Sequence, residues 1–245
     1  MENKYIDKRD TITKAEIASG YDKVAHKIGM VDAFYDRCFR VHNKYRGNIL
    51  DIGSGAGHLI SLLKERVKPY EERLEEFDTE KIRFYGIDIS QKLCDMAKET
   101  NPFAEIVQGD AESLPYKDNM FDFVFSTATF EHVLDVPKAM REASRVLKPG
   151  GIFIISVPNR DWLQYDFYAE LRLKKRFQPV DDHYFWYLEM KKLLEDNNFV
   201  ISKYRGTDNL FYYGWKHTLE QVAAFFMPFL YKKMKHHIYK CINVK

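Results

Sequence analysis

Cysteine is scarce. The chain of 245 residues has three, Cys38, Cys94 and Cys241. Their odd number and wide spacing match neither a disulfide framework nor a metal-ligand pattern, so reduced thiols are expected. Long apolar runs are missing too. The longest, 222–231, falls well short of the roughly 20 residues that a membrane-spanning helix needs. The opening MENKYIDKRD is charged and lacks the apolar core of a secretory signal. A cytoplasmic protein, or one peripheral at the inner face of the membrane, is therefore expected. Low-complexity tracts are absent and no period of roughly 20–50 residues is visible, which argues against a solenoid. An excess of one charge is also lacking. The 38 basic and 36 acidic side chains leave a formal charge of +2, which gives no global drive toward nucleic acid. The exception is local. From Gln221 to Lys245 there is no acidic residue, while Lys232, Lys233, Lys235, Lys240 and Lys245 are basic.

What is present is apolar mass, 45% of the residues, enough for one large core or one core with a small appendage. Residues 12–45 read as helical, with Ala15, Ile17, Ala18, Tyr21, Val24, Ala25 and Ile28 recurring every three to four positions. From residue 48 onward short apolar segments alternate with amphipathic ones. Strands are expected over 48–52, 82–87, 104–108, 121–126, 152–157 and 199–205, with 210–215 as a candidate last strand. Helices are expected from Leu59, over 91–99, over 136–147 and over 187–197. A long terminal helix is expected over 217–242, broken near Pro228. Several of the strands are apolar on both faces, which indicates a parallel sheet covered on both sides.

The first strand ends at Asp51 and runs straight into Gly53, Gly55 and Gly57. Glycines permit the tight strand-to-helix turn, and the following helix start offers N–H groups and a positive dipole end to a ligand. Taken alone, such a turn is also compatible with a packing device or a nicotinamide site. The second strand ends at Asp88, at the edge where open α/β sheets bind ligands. A carboxylate there can accept both hydroxyls of a ribose, although Asp88 could equally cap a helix. After the third strand comes Asp110, able to accept from an exocyclic adenine amine, with the Ala111 N–H free to donate to the ring. Its plainer reading is an ordinary turn acid. Three acids after three successive strands are harder to dismiss than any one.

Together the strings ILDIGSGAG (49–57), GID (86–88), GDA (109–111), FDFVFS (121–126), FEHV (130–133) and RVLKPGG (145–151) resemble the class I S-adenosylmethionine-dependent methyltransferases of the small-molecule type. That group includes the ubiquinone and menaquinone methyltransferases. The resemblance spans about residues 21–200. It implies a Rossmann-like, doubly wound α/β fold with a mostly parallel seven-stranded sheet. Residues 1–45 would form an N-terminal helical lid and 46–215 the cofactor-binding domain. An acceptor lid would be inserted at about 159–185, and 216–245 would be a C-terminal basic and aromatic helix. It further implies that Asp51, Gly53, Ser54 and Gly55 hold the methionine end of S-adenosylmethionine. Asp88 would take the ribose, with Ile89 against the adenine, and Asp110 and Ala111 would read the adenine edge. Ser126 and Thr127 would lie near the sulfonium, and Tyr21 would close over the cofactor. S-adenosylhomocysteine would be the product.

Methyl transfer needs alignment more than proton traffic, so few catalytic side chains are expected. His132 is the candidate base for a hydroxyl acceptor, with a structural histidine as the alternative. His183 is expected to line the acceptor pocket. No metal is expected, because the upstream glutamate of metal-holding relatives falls at Ala128. The aromatics Trp162, Tyr165, Phe167, Tyr168, Phe177 and Tyr184 could cover an apolar or sugar-bearing acceptor, or only pack the insert. Residues 222–240 suit an interfacial membrane helix, a dimer contact or a flap. The expected acceptor is a small molecule, with lipid-linked, isoprenoid or sugar-containing compounds in view. Nucleic acid is not expected as a partner. A nicotinamide-dependent oxidoreductase and a non-catalytic partner subunit remain as alternatives.

Overall fold

The computed structural model describes residues 12–25, 38, 41–42, 44–74, 82–161, 183–207 and 236–245, the side chains of 68–74 excepted. Among these, seven strands form one sheet. They are β1 (Asn48–Ile52), β2 (Arg83–Asp88), β3 (Glu105–Gln108), β4 (Phe121–Thr127), β5 (Leu147–Pro158), β6 (Phe199–Thr207) and β7 (His236–Asn243). Their order is β3-β2-β1-β4-β5-β7-β6. The β3-β2-β1-β4-β5 pairs are all parallel, whereas β7 lies antiparallel between β5 and β6. The doubly wound, mostly parallel sheet read from the sequence is thus present.

Among the described residues five α-helices accompany the strands: α1 (Lys14–Val24), α2 (His58–Leu74), α3 (Gln91–Thr100), α4 (Val136–Val146) and α5 (Tyr187–Asp196). Period-2 alternation sorts the strand side chains between two cores. On one face Leu50, Ile52, Val124 and Phe153 meet Ala139, Met140 and Ala143 of α4 and Met190 and Leu194 of α5. On the other Ile49, Phe84, Phe123 and Ile154 meet Leu59 and Leu63 of α2 and Cys94 and Ala97 of α3. Each Val, Leu, Ile, Phe or Met side chain so buried contributes about 1.5–3 kcal/mol, which makes this central slab the rigid platform for the site. Strand order reverses between β1 and β4, and the crevice beyond their carboxyl ends is where such sheets accept ligands.

The C-terminal helix expected over 217–242 is corrected over its last part, because His236–Asn243 is a strand. Seven register pairs, from Ile152↔Ile242 to Pro158↔His236, bind it to β5, and β6 pairs with its other side. A helix here would leave the hydrogen-bonding edges of both neighbours unmatched. His237, Ile238 and Tyr239 are fully buried, so these three residues are core and not an interfacial helix face. The candidate strand 210–215, the apolar run 222–231 and Pro228 lie outside the described residues. So does most of the 159–185 insert, with Trp162, Tyr165, Phe167, Tyr168 and Phe177. Its two ends are clipped together by an Asn159–Phe185 bridge, with Arg160 N–H donating to Phe185 O at 3.0 Å and Phe185 N–H to Pro158 O at 3.1 Å.

Candidate cofactor site

The carboxyl ends of β1, β2, β3 and β4, with α1 laid across them, enclose a cavity of about 610 Å³. That lies within the usual range of small-molecule sites. Its floor begins at the glycine turn. Gly53 has φ 75° and Gly55 φ 52°, in the left-handed region where a side chain is strained. A Cβ on Gly53 would fall 2.2 Å from Thr129 Oγ1, so glycine also permits the loop after β4 to close down on it. The first N–H groups of this turn are engaged within the protein. Gly53 and Ser54 N–H both donate to Ile87 O, at 2.8 and 3.0 Å, and Gly55 N–H donates to Asp88 Oδ2 at 2.9 Å. The turn is thereby locked onto the end of β2.

Those bonds also orient Asp88. Its second oxygen accepts from Ser90 N–H at 2.9 Å. Ser90, not Asp88, caps α3, accepting from Leu93 N–H at 3.1 Å. Burial raises the Asp88 pKa against the pull of these N–H donors. Asp51 is 2% exposed, and its Oδ1 has no hydrogen-bond partner. Burial first, then the Asp88 charge, push the Asp51 carboxyl up to about 8. The buried Ser54 Oγ is likewise unpartnered. An acid and a hydroxyl held dry and unsatisfied beside a turn fit a ligand that brings donors, such as an amino-acid ammonium.

The third loop carries Asp110, whose Oδ1 accepts from Glu112 N–H at 2.9 Å. Glu112 is 5% exposed and accepts from Asp135 N–H at 3.0 Å, tying this loop to the start of α4. Across the cavity stand Thr127, Ala128, Thr129 and His132. Ala128 holds φ 52°, unusual for a residue with a side chain, and its N–H reaches Ser156 Oγ at 3.2 Å. The 3₁₀ turn Phe130–His132 presents His132, whose ring lies edge-on to Tyr21 with centroids 5.9 Å apart.

Of the residues singled out from sequence, Tyr21, Gly53, Ser54, Gly55, Asp88, Ile89, Asp110, Ala111, Thr127 and His132 line the cavity. Asp51, Ser126 and His183 do not. Asp51 shares the face of Ile49, behind the turn. Ser126 Oγ donates instead to Ile52 O at 3.1 Å, fastening β4 to β1. His183 sits at the stem of the insert. Its N–H donates to Glu131 O at 2.9 Å, and its ring meets Glu189 Oε1 at 3.0 Å. The helix after it is capped at Trp186, with Glu189 accepting the Trp186 N–H at 3.2 Å. Sequence reasoning missed Lys14, Ile17, Val24, Glu112 and Thr129. Lys14, Ile17, Tyr21 and Val24 recur at helical spacing, a signal that was visible as a face but not as a cavity wall. Among the described residues no group of three or more His, Cys, Asp or Glu is arranged to hold a metal. No described helix is long and apolar enough to cross a membrane.

Residues 50–155 match the family described as a methyltransferase domain. Over 139 residues the chain is 34% identical to a biotin biosynthesis bifunctional protein of Cellvibrio japonicus, covering 56% of this chain and 24% of that one. Over 177 residues it is 28% identical to a demethylmenaquinone methyltransferase of Staphylococcus aureus, covering 64% and 69%. The chain spans between a quarter and somewhat under half the length of the first curated relatives. Among solved structures, the [4+2]-cyclase SpnF superposes with a TM-score of 0.65 at 18% identity, covering 95% of this chain and 97% of that one. That likeness speaks for the fold alone. The resemblance to methyltransferases thus holds for residues 50–155, and the fold is that of solved S-adenosylmethionine-dependent methyltransferases, one of which superposes with a TM-score of 0.61 at 19% identity.

Proposed function

We propose that this protein transfers a methyl group from S-adenosylmethionine to a small-molecule acceptor by direct displacement. The observation that carries this reading is the cavity at the sheet's switch point, with the 53–55 turn, Asp88 and Asp110 along one wall and Thr127–Thr129 and His132 on the other. S-adenosylmethionine supplies an activated methyl on a sulfonium whose departure leaves a neutral thioether. The chain's part is then to bind, align and keep out water. Asp88, fixed by two backbone N–H donors, accepts the ribose hydroxyls. Asp110 and the Ala111 N–H take the adenine edge. Ser54, which lines the cavity with a buried, unpartnered Oγ, receives the amino-acid end, and Asp51 supports the turn from behind.

His132 stands at the transfer end, beside Tyr21. For a hydroxyl acceptor it takes the proton as the new bond forms, and an acceptor without an acidic proton has no need of it. His183, anchored to Glu131 and Glu189, sets the stem of the 159–185 insert beside this end. Ile17, Val24, Val133 and Leu134 give the cavity an apolar share of its lining. They favour an acceptor with an apolar part. Isoprenoid, lipid-linked and sugar-bearing compounds are the classes in view.

The experiment has two arms. Calorimetric titration with S-adenosylmethionine and with NAD should give binding with the first alone, and the reverse result would replace the reading by an oxidoreductase. Incubation with methyl-labelled cofactor and cell extract, followed by partition, should place label in a small molecule. Label in the organic phase favours the lipid-linked or isoprenoid class, and label in the aqueous phase a sugar. Binding without any label transfer would favour a non-catalytic subunit.

A further inference from the structure

α1 crosses the cavity with one face turned inward: Lys14, Ile17, Tyr21 and Val24 all line it. The helix starts cleanly. Thr13 caps it, and the Glu16 carboxylate accepts the Thr13 N–H at 2.8 Å. Its apolar anchorage is slight, since Ile17 is its one buried residue. What ties it down is polar. Lys14 Nζ donates to Asp110 Oδ2 and, at 2.5 Å, to Glu112 Oε2. Near the other end Asp22 accepts from Ser90 Oγ and from Lys92 N–H, the latter at 3.2 Å. Both ties run to the loops that carry the two cavity carboxylates, Asp88 and Asp110.

The Lys14 tie is the more specific. Asp110 has two oxygens, and one is fixed by the Glu112 N–H of its own turn. The other is fixed by Lys14, so the carboxylate cannot rotate about its last bond. Glu112 is buried, and the lysine charge is its counter-ion. Burial works against the charge on Lys14, but hydrogen bonds and attraction from Asp110 and Glu112 outweigh it and raise the Lys14 pKa. An ammonium held between two carboxylates by charge-assisted hydrogen bonds keeps both in place.

We propose that Lys14 is a positioning residue for nucleobase recognition: by closing α1 onto Asp110 and Glu112, it holds Asp110 in the one orientation that accepts the 6-amino group of adenine. This rests on the methyltransferase reading above. Helix closure and base selection are then a single event, and an open α1 is indifferent to the base.

The test compares two ligands on the full chain by calorimetry. One is S-adenosylhomocysteine; the other is its analogue with unsubstituted purine in place of adenine. The parent should favour the amino-bearing ligand by about tenfold or more, as for a hydrogen bond to a charged acceptor. Lys14→Met should bring the two affinities within about threefold of each other, and Lys14→Arg should restore the preference. Equal weakening toward both ligands, or an unchanged ratio, would overturn the proposal in favour of a plain latch. If Lys14→Met does not fold, Lys14→Gln replaces it, keeping the length and polarity of the side chain without its charge. It should likewise bring the two affinities within about threefold of each other, and an unchanged ratio would count against Lys14. A parent that binds neither ligand removes the cofactor reading itself, which the ratio cannot do.

Discussion

Asp51 is the residue most exposed to pH. Its carboxyl lies near 8 in the folded chain and in the ordinary carboxylate range when unfolded. Between those values the native state keeps a proton that the unfolded state has lost. Stability from this site is therefore full at low pH and is lost as pH rises through about 8. Asp51→Asn, neutral at every pH, should gain on the parent in thermal midpoint from about pH 6 to about pH 9, and a constant gap between the two melting curves would refute the assignment. Asp88→Ala and Asp110→Ala each remove a charged acceptor, and each should weaken S-adenosylmethionine binding about 10- to 100-fold by calorimetry. Cofactor affinity equal to the parent's in both would discard the site. Much of this site was legible because turn glycines and strand-end acids are local in sequence. The occupation of the turn N–H groups by Ile87 and Asp88 was not legible, since it depends on how closely β1 and β2 end together. Glu112 was missed for a similar reason. Its partners, Lys14 and Asp135, come from distant parts of the chain.

Among the elements, six strands and the helices after β1 fell close to where their apolar patterns put them. β7 did not. Its segment HHIYKCIN follows a run of lysines, and that run suggested an amphipathic helix. Both of its faces find a core only because β5 and β6 stand on either side, a tertiary fact without a local signature. Asn243 secures its end. Its Nδ2 donates to Ser144 O at 3.0 Å and Leu147 O at 3.2 Å, joining the strand to the end of α4. Asn243→Leu would remove the side-chain donor to Leu147 O and leave Ser144 O to Lys245 Nζ alone. It should cost about 2–3 kcal/mol in urea unfolding and leave cofactor affinity unchanged, because it sits at the edge of the sheet opposite the cavity. A loss of affinity with no loss of stability would contradict this placement.

At the scale of the molecule, the chain divides its labour across the strand reversal. The β1–β3 side carries the carboxylates, and the β4 side presents His132 and the stem of the insert. His132→Gln keeps the ring's approximate size and a hydrogen-bonding tip but not its basicity. With a hydroxyl acceptor it should lower kcat by about 10²- to 10⁴-fold and flatten the acid limb of the pH–rate profile, with cofactor affinity within about twofold of the parent. Loss of affinity with kcat retained would make His132 part of the cofactor site instead. The position of β7 bears on how the molecule is made. During synthesis β6 leaves the ribosome before the strand that will separate it from β5 exists. A nascent chain that has reached residue 207 therefore has a sixth strand without its own neighbour, next to a bare β5 edge that could capture it in the wrong register. Premature termination or slow translation through 208–235 should thus yield insoluble product rather than a truncated enzyme.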